Sequence, residues 1–234
     1  MEISFRQHLS VAMNQIELKD WQSPLEIPGL NRPQRRPTNL PGDGKMAAVL
    51  ALFCGHEGSI NSDGLPTTPD LLLTQRAIDL TNHGGQVSFP GGRLEPNESS
   101  LQAAIREAEE EIGILESQIE ICGQLRSVYI PPSDFTVTPY VGLICGAPKF
   151  TPCQREVEQI IRAPLNQLMA PSTLAAGTVI RSNGESLEVP CYQVGLHQIW
   201  GATAIMIGEL IERLRRARYA ATGLASQGEQ NADD

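Results

Sequence analysis

The sequence has no apolar run approaching the roughly 20 residues that cross a bilayer, no C-x-x-C pair, no internal repeat and no excess of positive charge. The first absence argues against a membrane-spanning helix. The second argues against a structural zinc site: five cysteines, at 54, 122, 145, 153 and 191, are odd in number and read as reduced thiols in a cytoplasmic protein. Lys and Arg number 18 against 27 Asp and Glu, a net charge of −9, which argues against a general binder of nucleic acid or of an anionic membrane surface. An anionic substrate would need a local cluster of arginine, lysine or metal to overcome that field. The opening stretch MEISFRQHLSVAMNQIELKDW is interrupted by acids and polar residues and reads as neither a signal nor a transit peptide.

What is present suits a globular chain: 234 residues, 41% hydrophobic and 19% charged, enough for one domain with a substantial core and an appendage. Residues 1–23 suggest a short amphipathic helix. Prolines at 24, 28, 33, 37 and 41, with Arg32, Arg35 and Arg36 among them, make the following stretch an extended arm. MAAVLALF (46–53) and LLLTQRA (71–77) read as two strands joined by a long hairpin loop, and GQVSFPGG as a short strand ending in a tight turn. From 98 to 112 apolar or small residues recur with the helical period; Asn97 or Glu98 can begin that helix and Gly113 can end it. Strands are expected at 119–129 and 135–145, and SNGE (182–185) predicts a hairpin between 178–181 and 186–193. A C-terminal amphipathic helix follows from 201, and a polar, disordered tail is expected from 221. The sum is an α/β fold, a mixed sheet with helices packed on it: a helix and proline-rich arm over 1–45, a globular domain over 46–220 and a tail over 221–234.

One feature breaks local rules. EAEEE places Glu107, Glu109, Glu110 and Glu111 in the last turn of the predicted helix, where the helix dipole disfavours acids and where like charges at i,i+3 and i,i+4 cost about 0.2–0.5 kcal/mol per pair. At about 100° per residue, Glu110 and Glu111 lie near −60° and +40° of Glu107, so these three share a face while Glu109 points elsewhere. A solvated acidic end is one reading; a bound cation is the other. Arg106 can reach Glu110 at i+4. Glu98, about 12 Å away if the helix reaches it, would need two extended side chains.

Gly92, Glu98, Arg106-Glu107, Ala108, Glu110-Glu111, Gly113 and Ile114 match every fixed position of G-x5-E-x7-R-E-U-x-E-E-x-G-U, with U aliphatic or small. The chain therefore resembles the Nudix hydrolases. The resemblance implies a Nudix-type α/β/α sandwich and hydrolysis, dependent on Mg²⁺ or Mn²⁺, of a nucleoside diphosphate linked to another moiety. It implies metal ligands at Glu107, Glu110, Glu111 and the carbonyl of Gly91, which a Pro-Gly-Gly turn can present without a side chain in the way.

A second signature lies upstream. Leu72, Leu73, Thr74, Arg76, Ala77, Gly85, Phe89, Pro90, Gly91 and Gly92 fit the motif of the coenzyme A diphosphatase branch of that family, whereas Thr81 stands where the motif has a second arginine. Arg76 is the candidate phosphate ligand, since a guanidinium can bind phosphate oxygens bidentately. Gln86, Phe89 and Ser133 are further substrate-binding candidates and His83 a weaker one; VYIPPSDFTVTPYVG (128–142) resembles the stretch that follows the box in this branch. Glu110, Arg106 and Glu156 are the catalytic candidates, with Glu158 as an alternative source of an acid from outside the box. The expected activity is cleavage of coenzyme A or acyl-coenzyme A to 3′,5′-ADP and 4′-phosphopantetheine. A diphosphatase acting on ADP-ribose, a dinucleotide or a nucleoside triphosphate, and a non-catalytic Nudix-fold binding module, are the alternatives. The partner is a small molecule, not nucleic acid or membrane, and the choice between monomer and homodimer is left open by the sequence.

Overall fold

The computed structural model describes residues 4–19, 44–55, 69–78, 84–146, 148–180, 184 and 186–230, with side chains of the last helix described as far as Ala217. The proline-rich arm, Thr81, His83 and most of the SNGE turn lie outside the described residues.

The elements in chain order are α1 (Phe5–Asn14), β1 (Lys45–Gly55), β2 (Pro69–Arg76), β3 (Val87–Ser88), β4 (Gly91–Arg93), α2 (Ser100–Ile112), β5 (Ile119–Gln124), β6 (Val128–Ile130), β7 (Phe135–Ile144), β8 (Val157–Pro164), α3 (Leu165–Met169), β9 (Leu174–Ile180), β10 (Ser186–Val194), β11 (His197–Trp200) and α4 (Gly201–Gln230). Strands β1 to β8 form one mixed sheet, in which β1 and β7 are parallel and the other pairs antiparallel; β9, β10 and β11 form a separate antiparallel sheet. Among the described residues no helix is long and apolar enough to cross a membrane.

Strand β1 is central, so both of its faces must be apolar. Ala48, Leu50 and Leu52 face the small, fully buried Ala103, Ala104 and Ala108 of α2. Ala47, Ala51 and Phe53 face a second core shared with α1, α4 and the small sheet. The result is the expected α/β/α sandwich. β1 meets β2 only at Phe53–Gly55, and beyond that point it pairs with β4 while β2 pairs with β3. The segment 87–93 is therefore a wedge between two diverging strands.

Several boundaries differ from expectation. Helix α2 begins at Ser100 because Ser99 and Gln102 make a reciprocal capping box; Asn97 has φ +66° and cannot be its first turn. The predicted strand 119–129 is two strands, interrupted where the Arg126 amide turns to Glu209 at 3.3 Å. The backbone of helix α4 runs to Gln230, into the stretch read as a polar tail.

Helix α1 is joined to the domain rather than separate from it. Leu9 and Ala12 are fully buried in the core, and Phe5 meets Phe53 edge-to-face with ring centroids 5.1 Å apart. Behind it, buried Glu209 accepts from Nε of Arg126 at 3.2 Å and Nε of Arg213 at 3.0 Å. These arginines in turn donate to the carbonyls of Leu18 at 3.5 Å and Ile16 at 2.7 Å.

Candidate active site

Helix α2 carries its acids to the mouth of the 87–93 wedge. Its end is set by Gly113, which has φ +72° and caps the helix through its amide to the Glu109 carbonyl at 2.9 Å. Gly92 lets the helix come close: a Cβ there would stand 2.3 Å from Oε1 of Glu107. Gly91, at φ +151°, donates its amide to Glu111 at 3.3 Å.

Carboxylate oxygens of Glu107, Glu111 and Glu156 lie within 4.8 Å of one another. Glu111 is 1% exposed. Burial pushes its carboxyl up to about 7, although Arg76 and the Gly91 amide pull the other way. Burial also raises Glu107, against the pull of Arg106. Glu156, the exposed member, is placed by its backbone. Its carbonyl accepts the Ala77 amide at 2.8 Å and its own amide donates to the Cys153 carbonyl at 2.9 Å. Cys153 and Thr151 donate to the carbonyls of Glu111 and Ile112, both at 2.9 Å. The turn carrying Glu156 is thus bonded to the end of the helix carrying the other two acids.

Arg76, at the end of β2, pairs with Glu111, the triad's buried member, at 3.4 Å. Arg106 holds the rest of the acids together. It donates to Glu98 at 2.9 and 3.1 Å, Glu107 at 3.0 Å, Glu110 at 3.2 Å and the Arg93 carbonyl at 3.1 Å. The Glu98 pair, which a continuous helix would stretch, forms because Glu98 precedes the cap and folds back; Arg106 holds its carboxyl below the usual range.

The other sequence candidates are placed as follows. Glu110 is 60% exposed at its side chain, bonded to Arg106 and outside the three-carboxylate group. Gln86 joins the site through its carbonyl, which accepts the Arg76 amide at 3.0 Å. Phe89 is 1% exposed and packs in the core. Ser133 donates to the Ile130 carbonyl at 3.4 Å in the turn before β7. Glu158 is exposed on β8. Sequence reasoning missed the Gly92–Glu107 approach, whose only signal was the glycine itself, and the Arg76–Glu111 pair, which depends on contacts 35 residues apart.

A family profile for the NUDIX domain matches residues 48–178. The chain belongs to the Nudix family. Over 148 residues it is 36% identical to an uncharacterized Nudix hydrolase, NudL, of Photorhabdus laumondii, covering 63% of this chain and 78% of that protein. Over 167 residues it is 31% identical to Nudix hydrolase 3 of Caenorhabditis elegans, covering 64% of this chain and 68% of that one. A MutT/nudix family protein from Enterococcus faecalis is similar in fold, with TM-score 0.50 and 18% identity over 78% of this chain and 66% of that one. As a Nudix hydrolase the chain acts on phosphoric anhydrides, and such hydrolases generally use divalent metal ions. The donor set fits one: three carboxylates, one of them buried, offer hard oxygens, and among the described residues their mutual repulsion is offset by Arg76, Arg106 and the Gly91 amide.

Proposed function

We propose that this Nudix hydrolase is a diphosphatase that cleaves coenzyme A or acyl-coenzyme A to 3′,5′-ADP and (acyl-)4′-phosphopantetheine. The supporting observation is the 3.4 Å pair between Arg76 and Glu111. Arg76 belongs to the upstream signature of the coenzyme A branch and Glu111 to the Nudix box, so the two motifs meet at one point.

Glu107, Glu111 and Glu156 would hold Mg²⁺ or Mn²⁺, with Glu110 able to join once it leaves Arg106 and the Gly91 carbonyl as a further donor. When bound, the metal supplies charge neutralisation for the pyrophosphate and a lowered pKa for the attacking water. Arg76, free to turn from Glu111 once a divalent ion were held there, would present its guanidinium to a phosphate oxygen. Glu156 or Glu110, the exposed acids, take the proton from water. Arg106 fixes Glu107 and Glu98 so that the donor set does not reorganise during reaction.

Product analysis over coenzyme A, acyl-coenzyme A, ADP-ribose, NADH and nucleoside triphosphates tests the reading. Fastest turnover of coenzyme A or its acyl esters, with 3′,5′-ADP released, supports it. Much faster cleavage of ADP-ribose would leave the family and overturn the branch. Tight binding with no turnover in Mg²⁺ or Mn²⁺ would favour a binding module.

A further inference from the structure

We infer that Lys45, Arg93 and Phe135 form a second anion subsite, which takes a phosphomonoester carried by the substrate apart from its scissile pyrophosphate; the inference rests on the diphosphatase reading above. Lys45 opens β1 and Phe135 opens β7, and the two are register partners on parallel strands. Arg93 ends β4 opposite Ala47 of β1. Alternation along β1 puts Lys45 on the same face as Ala47, so all three side chains stand on the sheet face turned away from α2. There they converge: Nζ of Lys45 lies 5.5 Å and Cζ of Arg93 5.4 Å from the centre of the Phe135 ring.

Two cations on one ring repel each other, and a ring quadrupole offsets only part of that. Arg6, Arg76, Arg106, Arg126 and Arg213 each have a carboxylate partner, and Arg162 lies singly over the Phe150 ring at 5.6 Å, whereas at Phe135 two cations share one ring. Among the described residues Lys45 and Arg93 have no ion-paired carboxylate; both are exposed and their partner is the aromatic face. A convergent cation pair with no ion-paired carboxylate among the described residues stands out in a protein of net charge −9.

The position relates the pair to the chemistry. Arg93 follows Gly92, against which Glu107 is packed, and its carbonyl is held by Arg106 at 3.1 Å. Gly91 and Gly92 put no side chain between the carboxylates and Arg93. Among the described residues β1 is the only strand paired with β4; the other edge of β4 meets Glu111 at the Gly91 amide and Arg106 at the Arg93 carbonyl, so Arg93 directly follows the backbone on which the acids are held. The backbone at this end is fixed, since the Lys45 amide donates to the Asp134 carbonyl at 3.0 Å. A substrate bridging both places carries a pyrophosphate at the acids and a dianionic phosphate on the sugar, where Arg93 can bind two oxygens and Lys45 a third.

The test compares coenzyme A with dephospho-coenzyme A, which lacks the ribose phosphate, on the full-length wild-type chain and on the double variant Lys45→Gln/Arg93→Gln. The wild type should favour coenzyme A in kcat/KM by about tenfold or more, chiefly through KM. The variant should bring the ratio near one while its rate on dephospho-coenzyme A stays within about threefold of wild type. Lys45→Arg/Arg93→Lys should restore the ratio, which separates charge from fold. A wild type indifferent to the ribose phosphate, or a variant that keeps the preference, overturns the subsite. If neither compound is cleaved in Mg²⁺ or Mn²⁺, the diphosphatase reading fails. Calorimetry with adenosine 3′,5′-bisphosphate and 5′-AMP still decides the subsite: a wild-type preference for the bisphosphate that the variant loses supports it, and equal affinities sink it.

Discussion

A Cβ on Gly92 would stand 2.3 Å from Oε1 of Glu107, inside any real contact distance. Gly92 has no positive φ, so alanine can adopt its backbone and the clash falls on the carboxylate. Gly92→Ala should weaken the apparent affinity for Mg²⁺ and lower activity by about 10–100-fold, as displaced support of a metal ligand does. Activity titrated against Mg²⁺ checks this, and a curve superimposable on wild type would show that Glu107 can move without consequence.

Glu110 and Glu156 are both exposed, but only Glu156 stands in the three-carboxylate group. Glu156→Gln should lower both divalent-ion affinity and kcat, the latter by about 100-fold. Glu110→Gln should lower kcat by a similar order with the fold retained. Single-turnover rates and Mn²⁺ binding on each variant separate the two roles. Near-normal turnover of Glu110→Gln would remove that residue from the mechanism and leave Glu156 as the base.

Glu111 gives the metal-free chain a pH signature. Its carboxyl is raised from 4.5 to about 7 in the fold, so the folded state prefers it protonated. The ionisation cost is therefore absent below about pH 4.5, grows up to about 7 and is full above it. Glu111→Gln removes that cost and keeps an acceptor for the Gly91 amide. In EDTA the variant should match wild type near pH 5 and exceed it at pH 8 by up to about 3 kcal/mol. Urea unfolding at the two pH values is the measurement; an equal difference at both would refute the coupling. Added Mg²⁺ should stabilise wild type and not the variant.

Buried Glu209 organises Arg126 and Arg213, which hold the chain just after α1. Glu209→Ala removes the buried carboxylate that the two arginines share and should cost about 3–5 kcal/mol. Hydrogen exchange should then quicken over residues 5–14 more than over α2. Unchanged protection of α1 would mean that Leu9, Ala12 and Phe5 hold it without the ionic network.

The sandwich was legible because its elements are locally encoded. β1 reads as a strand from its unbroken apolar run, and α2 as a helix from its period and from Gly113. The Nudix box pointed to Glu107, Glu110 and Glu111; the fold gathers Glu107 and Glu111 with Glu156 and leaves Glu110 on Arg106. The Glu98–Arg106 pair was misjudged because its distance was measured along a helix that starts two residues later, at Ser100. Glu156 could be nominated from its residue type, but its placement depends on amides of Ala77, Thr151 and Cys153 and on backbone bonds formed across the fold. The convergence of Lys45, Arg93 and Phe135 depends on strand register over 90 residues, to which periodicity is blind.

The same backbone bonds bear on why acids can crowd the C-terminal end of α2. A helix end is negative because its last carbonyls are unpaired. Here the Glu109, Ile112 and Glu111 carbonyls accept the amides of Gly113, Thr151 and Cys153. Much of the negative pole is cancelled by donors from a neighbouring turn before any ion arrives. The helix end is a partly insulated mount, and most of the negative charge that a divalent ion would meet there comes from side chains.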